Sequence, residues 1–309
     1  MAFRIQTNIS SLNAQRNLAV SSEALAKHTE RISSGYRINH AADDAAGLAI
    51  SEKLKSGVRA LLQAKRNTAD GISLVQTAEG GLQEISNILI RLKELSVQSA
   101  SDTIGDSERG HIQKEFGALK DEINRIAYST EFNGTRLLTG NTSLPLDLIK
   151  NSNISPLEFQ VGDSYSYEAD SILDPNPTHI IRLDLSKINA LTNGEDALNL
   201  GGVGEENTGD TRVDKKSEAQ VTINRVDEAI DRVNAYRASL GAIQNRLSHA
   251  ISNTSTMVEN FDAAKSRILD ADYAEESSQV VQMGILQKAG ISVLAQANQI
   301  PEMALKLLG

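Results

Sequence analysis

The chain has 309 residues with no Cys, no Trp, 4% aromatic residues and a formal net charge of -9. Absence of Cys excludes disulfides, thiolate metal sites, iron–sulfur clusters and a Cys nucleophile. The acidic balance argues against nucleic-acid partners, which are held by Lys and Arg, and about two domains is the prior that length sets.

The five prolines are Pro145, Pro156, Pro175, Pro177 and Pro301. Helix interiors tolerate Pro least, so two long helical arms are expected on either side of a non-helical middle. There is no apolar run of 18 residues to span a membrane, and the first ten residues lack the apolar core of a secretory signal.

In chain order, residues 1–40 read as amphipathic, with Ile5, Leu12, Ala19 and Ala26 spaced by seven beside Leu18, Leu25 and Ile32. A polar stretch from Gly35 to Gly47 reads as a connector. Leu54, Leu61, Thr68, Val75, Leu82 and Leu89 then form a seven-spaced row, with Ile85 and Leu92 between, as one seam of a coiled coil does. Gly71, Gly80 and Gly81 interrupt it and read as points of close packing. After Ser101 to Gly105, a second helix carries Ile112, Phe116, Leu119, Ile123 and Ile126, with an acidic cap near Asp106.

The middle has another character. Asn133-Gly134 signals a tight turn, Leu157 to Asp163 alternates like a strand, and Ile180 to Leu185 is strand-like. Residues 193–216 read as loop, and residues 141–216 hold 13 Asp and Glu against 6 Lys and Arg, so -7 of the net -9 lies there. A capping box of Ser217 and Gln220 opens a helix to about Ile268. Its seam is Val226, Val233, Leu240, Leu247, Thr254, Phe261 and Ile268. Asp272 with Glu275 reads as the cap of a last amphipathic segment holding Val280, Val281, Ile285, Leu286, Val293, Leu294 and Ile300.

A terminal pair of helices this small leaves apolar surface wet, so both ends are expected to need further copies of themselves or another partner. Catalytic chemistry is missing: His28, His40, His111, His179 and His249 are scattered, and no phosphate loop, dinucleotide fingerprint or nucleophile elbow occurs. Neither an enzyme nor a cofactor or metal is expected.

The stretch Arg31-Ile32-Ser33-Ser34-Gly35-Tyr36-Arg37-Ile38-Asn39, followed by Ala42-Asp43-Asp44-Ala45-Ala46-Gly47, resembles the N-terminal signature of bacterial flagellin. Gly241 to Leu247, Ser266 to Asp272 and Leu294 to Gln299 resemble its C-terminal signatures. The resemblance covers about residues 1–140 and 217–309. It implies a mainly α fold, an elongated antiparallel helical bundle and coiled coil of the two arms with a small β-containing outer region. Three domains follow: 1–40 with 273–309 as inner coiled coil, 41–140 with 217–272 as bundle, and 141–216 as a variable, exposed region with hairpin strands and an acidic loop.

The implied function is a structural subunit that self-assembles into the helical flagellar filament for swimming. Implied partners are other copies of the chain, hook-junction and cap proteins, an export chaperone and the flagellar export apparatus, which leads outside the cell without a cleaved signal. Ile5, Leu12, Leu18, Leu25, Ile32, Val293, Leu294 and Ile300 would pack between subunits, and Leu305, Leu307 and Leu308 match a C-terminus read by a chaperone or by host sensors. A host Toll-like receptor would contact Arg91, Leu95 and Glu115, with Lys93 in place of the second Arg of the family's pattern. The alternatives are a hook–filament junction protein and a coiled-coil protein of a type III secretion system.

Overall fold

A computed structural model of the chain describes residues 8–140, 156–164, 179–193, 197–201 and 211–308, with side chains described as far as Gln299. Five helices carry it: α1 (Ile9–Ser34), α2 (Ala45–Ser99), α3 (Asp106–Ser129), α4 (Lys216–Leu269) and α5 (Tyr273–Leu308). Two antiparallel hairpins pair β1 (Glu131–Phe132) with β2 (Thr135–Arg136) and β3 (Leu157–Gln160) with β4 (Ile180–Leu183). The residues divide into two compact units, Met1–Val58 with Glu259–Gly309, and Arg59–Val258.

The Arg59–Val258 unit is built on α2, whose buried positions advance by alternating steps of three and four: Leu61, Ala64, Thr68, Gly71, Val75, Ala78, Leu82, Ile85, Leu89, Leu92, Ser96 and Ser99. That spacing keeps one stripe facing a partner along the whole helix. Val226, Val233, Leu240 and Leu247 of α4 and Ile112, Phe116 and Ile123 of α3 complete the same core. Both α3 and α4 run antiparallel to α2: Arg109 reaches Ser99 O while Arg91 meets Glu115 at 2.8 Å, and Lys93 meets Asp227 at 2.6 Å while Arg237 meets Glu79 at 3.9 Å. Both seams are the rows the sequence predicts.

Local signals translate with small shifts. Asn133 and Gly134 both take positive φ (50° and 77°) and close the β1–β2 hairpin as expected. Asp106 lies in the first turn of α3 behind the N-cap Gly105, where it pairs with Arg109 at 2.7 Å instead of capping. The helix α4 starts at Lys216, so Ser217 sits inside its first turn rather than ahead of it. Gly71 and Gly81 do mark close packing, but against side chains. A Cβ on Gly71 would lie 3.0 Å from the Phe159 ring, and one on Gly81 would lie 2.7 Å from Thr130 Oγ1.

The reading of residues 193–216 as an exposed loop needs correction where they are described. Ala197, Leu198, Leu200, Thr211 and Val213 are buried. Their backbones are matched, Leu198 N–H to Leu191 O at 2.9 Å and Val213 N–H to the Gln113 amide at 2.7 Å. Apolar residues scattered among Gly and Asn carry no periodicity, yet they cover the bundle once each peptide group finds a partner. The acidic residues 195, 196, 205, 206 and 210 lie outside the described residues.

Candidate assembly surface

The Met1–Val58 and Glu259–Gly309 unit pairs α1 with α5. Asn8 Nδ2 donates to Ala297 O at 2.8 Å, Gln287 Nε2 to Ser22 Oγ at 3.1 Å, and Arg31 Nη1 to Glu276 Oε1 at 3.0 Å, so the helices are antiparallel. Burial picks out the seam. On α1 it runs Ser11, Ala14, Leu18, Ser21, Leu25, His28 and Ile32, and on α5 Glu276, Val280, Met283, Gln287, Gly290, Leu294 and Ala297. Both follow the alternating three- and four-residue steps of a coiled coil, but only Ser11, Ala14, Ala297 and Glu276 fall below a tenth exposed.

Many large apolar side chains lie off the seam. Ile9, Leu12 and Val20 on α1 and Val281, Ile285, Leu286, Ile291 and Val293 on α5 are between 47% and 63% exposed. Single exposed apolar residues are ordinary, but eight on one helix pair is a concentration that marks a candidate contact region. Removing it from water is the free energy available for association, at about 25 cal/mol per Å².

Glu276 is the polar centre of the seam. Its Oε2 stands 2.5 Å from His28 Nδ1 and its Oε1 accepts from Arg31. Burial pushes this carboxyl upward, and the hydrogen bonds from His28 and Arg31 outweigh it, so the group ends below its ordinary value. No signal in the sequence distinguishes Glu276 from Glu275 beside it until the seam is known.

The connector from α1 to α2 is tied down. Gly35 ends α1 with φ 75°, Arg37 N–H donates to Leu269 O at 2.6 Å, and Ala271 N–H donates to Gly35 O at 2.9 Å. The Asp43 carboxylate takes an ion pair from Lys27 at 2.6 Å and backbone N–H groups of Asn39 and His40. The Lys27 hydrogen bond first, then the His40 N–H, bring it down to about 2. Asp272 caps α5 as expected, its Oδ1 accepting from Ala274 N–H at 2.9 Å.

The residues expected to pack between subunits therefore divide. Leu12 (52% exposed) and Val293 (56%) face outward, whereas Leu18, Leu25, Ile32 and Leu294 sit half-buried on the seam within one chain. Ile5 lies outside the described residues, as do the side chains of Ile300, Leu305, Leu307 and Leu308.

Of the three expected receptor contacts, Arg91 and Glu115 are brought together, and Arg91 also reaches Glu94 at 3.0 Å. These hydrogen bonds, Glu115 first, raise the guanidinium above its ordinary value. Leu95 is 1% exposed and belongs to the bundle core. Lys93 is engaged with Asp227. Sequence reasoning missed Arg109, which is 8% exposed and donates to Ser99 O at 3.0 Å and Ser101 O at 2.9 Å, fastening the end of α2 to α3.

Among the described residues no helix is long and apolar enough to cross a membrane. Comparison with known proteins gives consistent matches. Residues 5–143 match the model of the bacterial flagellin N-terminal helical region, and residues 223–308 match the C-terminal helical region. The chain is 42% identical to a flagellin of Bacillus subtilis over 311 residues, covering 99% of each chain. It is 38% identical to flagellin B of Vibrio anguillarum over 376 aligned residues, covering 100% of each. It is also similar to the crystal structure of a Bacillus cereus flagellin, with 28% identity and a TM-score of 0.44, covering 65% of this chain and 94% of the other.

Proposed function

The chain belongs to the bacterial flagellin family, and from that premise we infer that it is the structural subunit of a flagellar filament, self-assembling into a helical polymer that serves swimming motility. The structural observation that carries this reading is the outward apolar surface of α1 and α5. A helix pair that keeps eight large apolar side chains in water, beside a seam of small, polar and half-buried apolar residues, is completed by neighbouring copies. Contacts between unlike patches that do not close into a ring give an open helical polymer. The role is mechanical, and its chemistry is packing.

The division into an inner pair (1–40 with 273–309), a bundle (41–140 with 217–272) and an outer region (141–216) is the functional layout we favour. In it the filament lies outside the cell and the subunit reaches it through the flagellar export apparatus. Hook-junction and cap proteins meet its ends, and an export chaperone reads the C-terminus with Leu305, Leu307 and Leu308. A host Toll-like receptor would read Arg91 and Glu115 as one charged surface, with Leu95 supporting it from the core. Equal cell activation by the parent and by a variant carrying Arg91→Ala and Glu115→Ala would remove these residues from such a site.

Electron microscopy of purified full-length protein after a polymerisation stimulus tests the main reading. Long helical filaments are expected, and closed short rings or persistent monomers would overturn it. Deleting 1–40 or 273–309 should abolish filaments while circular dichroism still reports a helical bundle.

A further inference from the structure

Both seams of the terminal pair repeat every seven residues, with Ser11, Leu18, Leu25 and Ile32 on α1 facing Glu276, Met283, Gly290 and Ala297 on α5. Sliding one helix by a heptad, about 10 Å at 1.5 Å per residue, sets Leu against a position that also held Leu. Gly290 and Ala297 offer little side chain to interlock, so apolar packing discriminates weakly between registers. Polar seam groups supply such discrimination elsewhere, at a cost in stability.

We propose that Glu276, held by His28 and Arg31, is the positioning residue that fixes the register of α1 against α5, and with it the places where the outward apolar side chains meet neighbouring copies. This deepens the filament reading and rests on it. In the observed register both carboxylate oxygens of Glu276 are partnered. One heptad toward the N-terminus of α1, the positions of His28 and Arg31 are taken by Ser21 and Ala24. A carboxylate 8% exposed would then face no cation, which a low-dielectric seam strongly disfavours. One heptad the other way the positions are Gly35 and Ile38, beyond the end of α1.

Nearby cationic groups do not substitute for the native partners, because Lys27 is engaged by Asp43 and His40 by Glu30 at 3.0 Å. The Arg31 Nε is buried with no acceptor of its own, which marks a guanidinium drawn into the seam by the carboxylate. The bridge between Tyr36 and Asp270, with its Arg37 and Ala271 backbone bonds, ties the segment after α1 to the one before α5, and it is the competing determinant of register. At the far end, Ser11 Oγ meets Asn298 Oδ1 at 2.8 Å, a neutral contact that other polar side chains can replace.

A chain without Cys lets an engineered disulfide report register without competition. A Cβ on Gly290 would lie 3.9 Å from Leu18 Cβ, inside the roughly 3.5–4.5 Å a disulfide requires. Leu18→Cys with Gly290→Cys therefore reports the native register, and Ser11→Cys with Gly290→Cys reports the slipped one. Both pairs are placed in the full chain, with and without Glu276→Gln, and oxidised in the soluble and polymerised fractions.

With Glu276 present the native pair should crosslink and the slipped pair should not. With Glu276→Gln the slipped pair should crosslink and the native yield should fall several-fold. Glu276→Asp, which keeps the charge, should restore the native pattern. An identical pattern with and without the charge would overturn the assignment and give the register to the Tyr36 bridge. Failure of the parent pairs to polymerise at all would instead count against the filament reading.

Discussion

The two units of this chain use similar heptad spacing for opposite ends. In the bundle, Leu82, Ile85, Leu89, Leu92 and Phe116 are fully buried, so the three helices satisfy one another within one chain. In the terminal pair the seam is Ser, Ala, Gly, Gln, His and Glu interleaved with half-buried Leu, Ile, Val and Met, and the most exposed large apolar side chains among the described residues are Tyr273, Ile285, Val20 and Val281. Spacing alone says that a helix has a preferred face. Which residues occupy that face decides whether the element is stable alone or is half of an interface.

Five variants press on this contrast. The largest effect is expected from charging the outward surface: Ile285→Asp with Val293→Asp should abolish filament formation in sedimentation assays. Thermal unfolding of the soluble subunit should stay within about 0.5 kcal/mol of the parent, as surface changes do. If the subunit itself unfolded, the surface would be core and the contrast would fail. Next, Leu89→Ala in the bundle should lower stability by about 2–5 kcal/mol in urea titrations, through the lost burial and the cavity.

Arg109→Ala should cost about 1–3 kcal/mol by the same measurement, because it strips donors from the Ser99 and Ser101 carbonyls. Gly81→Val falls in a similar range, about 1–3 kcal/mol from overpacking against Thr130 and Leu138. An unchanged midpoint would show, for Arg109→Ala, that the α2 end relaxes freely and, for Gly81→Val, that Thr130 and Leu138 give way.

The smallest effect concerns the connector. Asp43 is held at about 2, below its ordinary 3.8, so its contribution is complete above that ordinary value and is lost as pH falls through about 2. Amide exchange of the connector should be slower in the parent than in Asp43→Asn at pH 5, and the difference should shrink toward pH 2. A difference that persisted there would assign the protection to something other than the carboxylate.

Much of this was legible in advance, unevenly. The α2 and α4 rows could be read because each has a single apolar face: Val226, Val233, Leu240 and Leu247 have few apolar rivals at other angles. On α1 the two rows could not be ranked from sequence, since it carries apolar residues on two faces: Leu12 lies outside, and Leu18, Leu25 and Ile32 lie on the seam. Arg109 and Glu276 look like any charged residue of a polar helix surface, and residues 197–201 and 211–213 carry no period at all.

The sequence by itself determined the helices, the bounds of α2, α3 and α4 within a residue or two, the hairpin turn at Asn133-Gly134 and the family, because these depend on neighbours along the chain and on long motifs. Only the tertiary structure decided which face of α1 meets α5, that a carboxylate sits between them, and that Leu95 is core. Those outcomes turn on what lies across the seam, and periodicity fixes the direction of a side chain without naming what it meets.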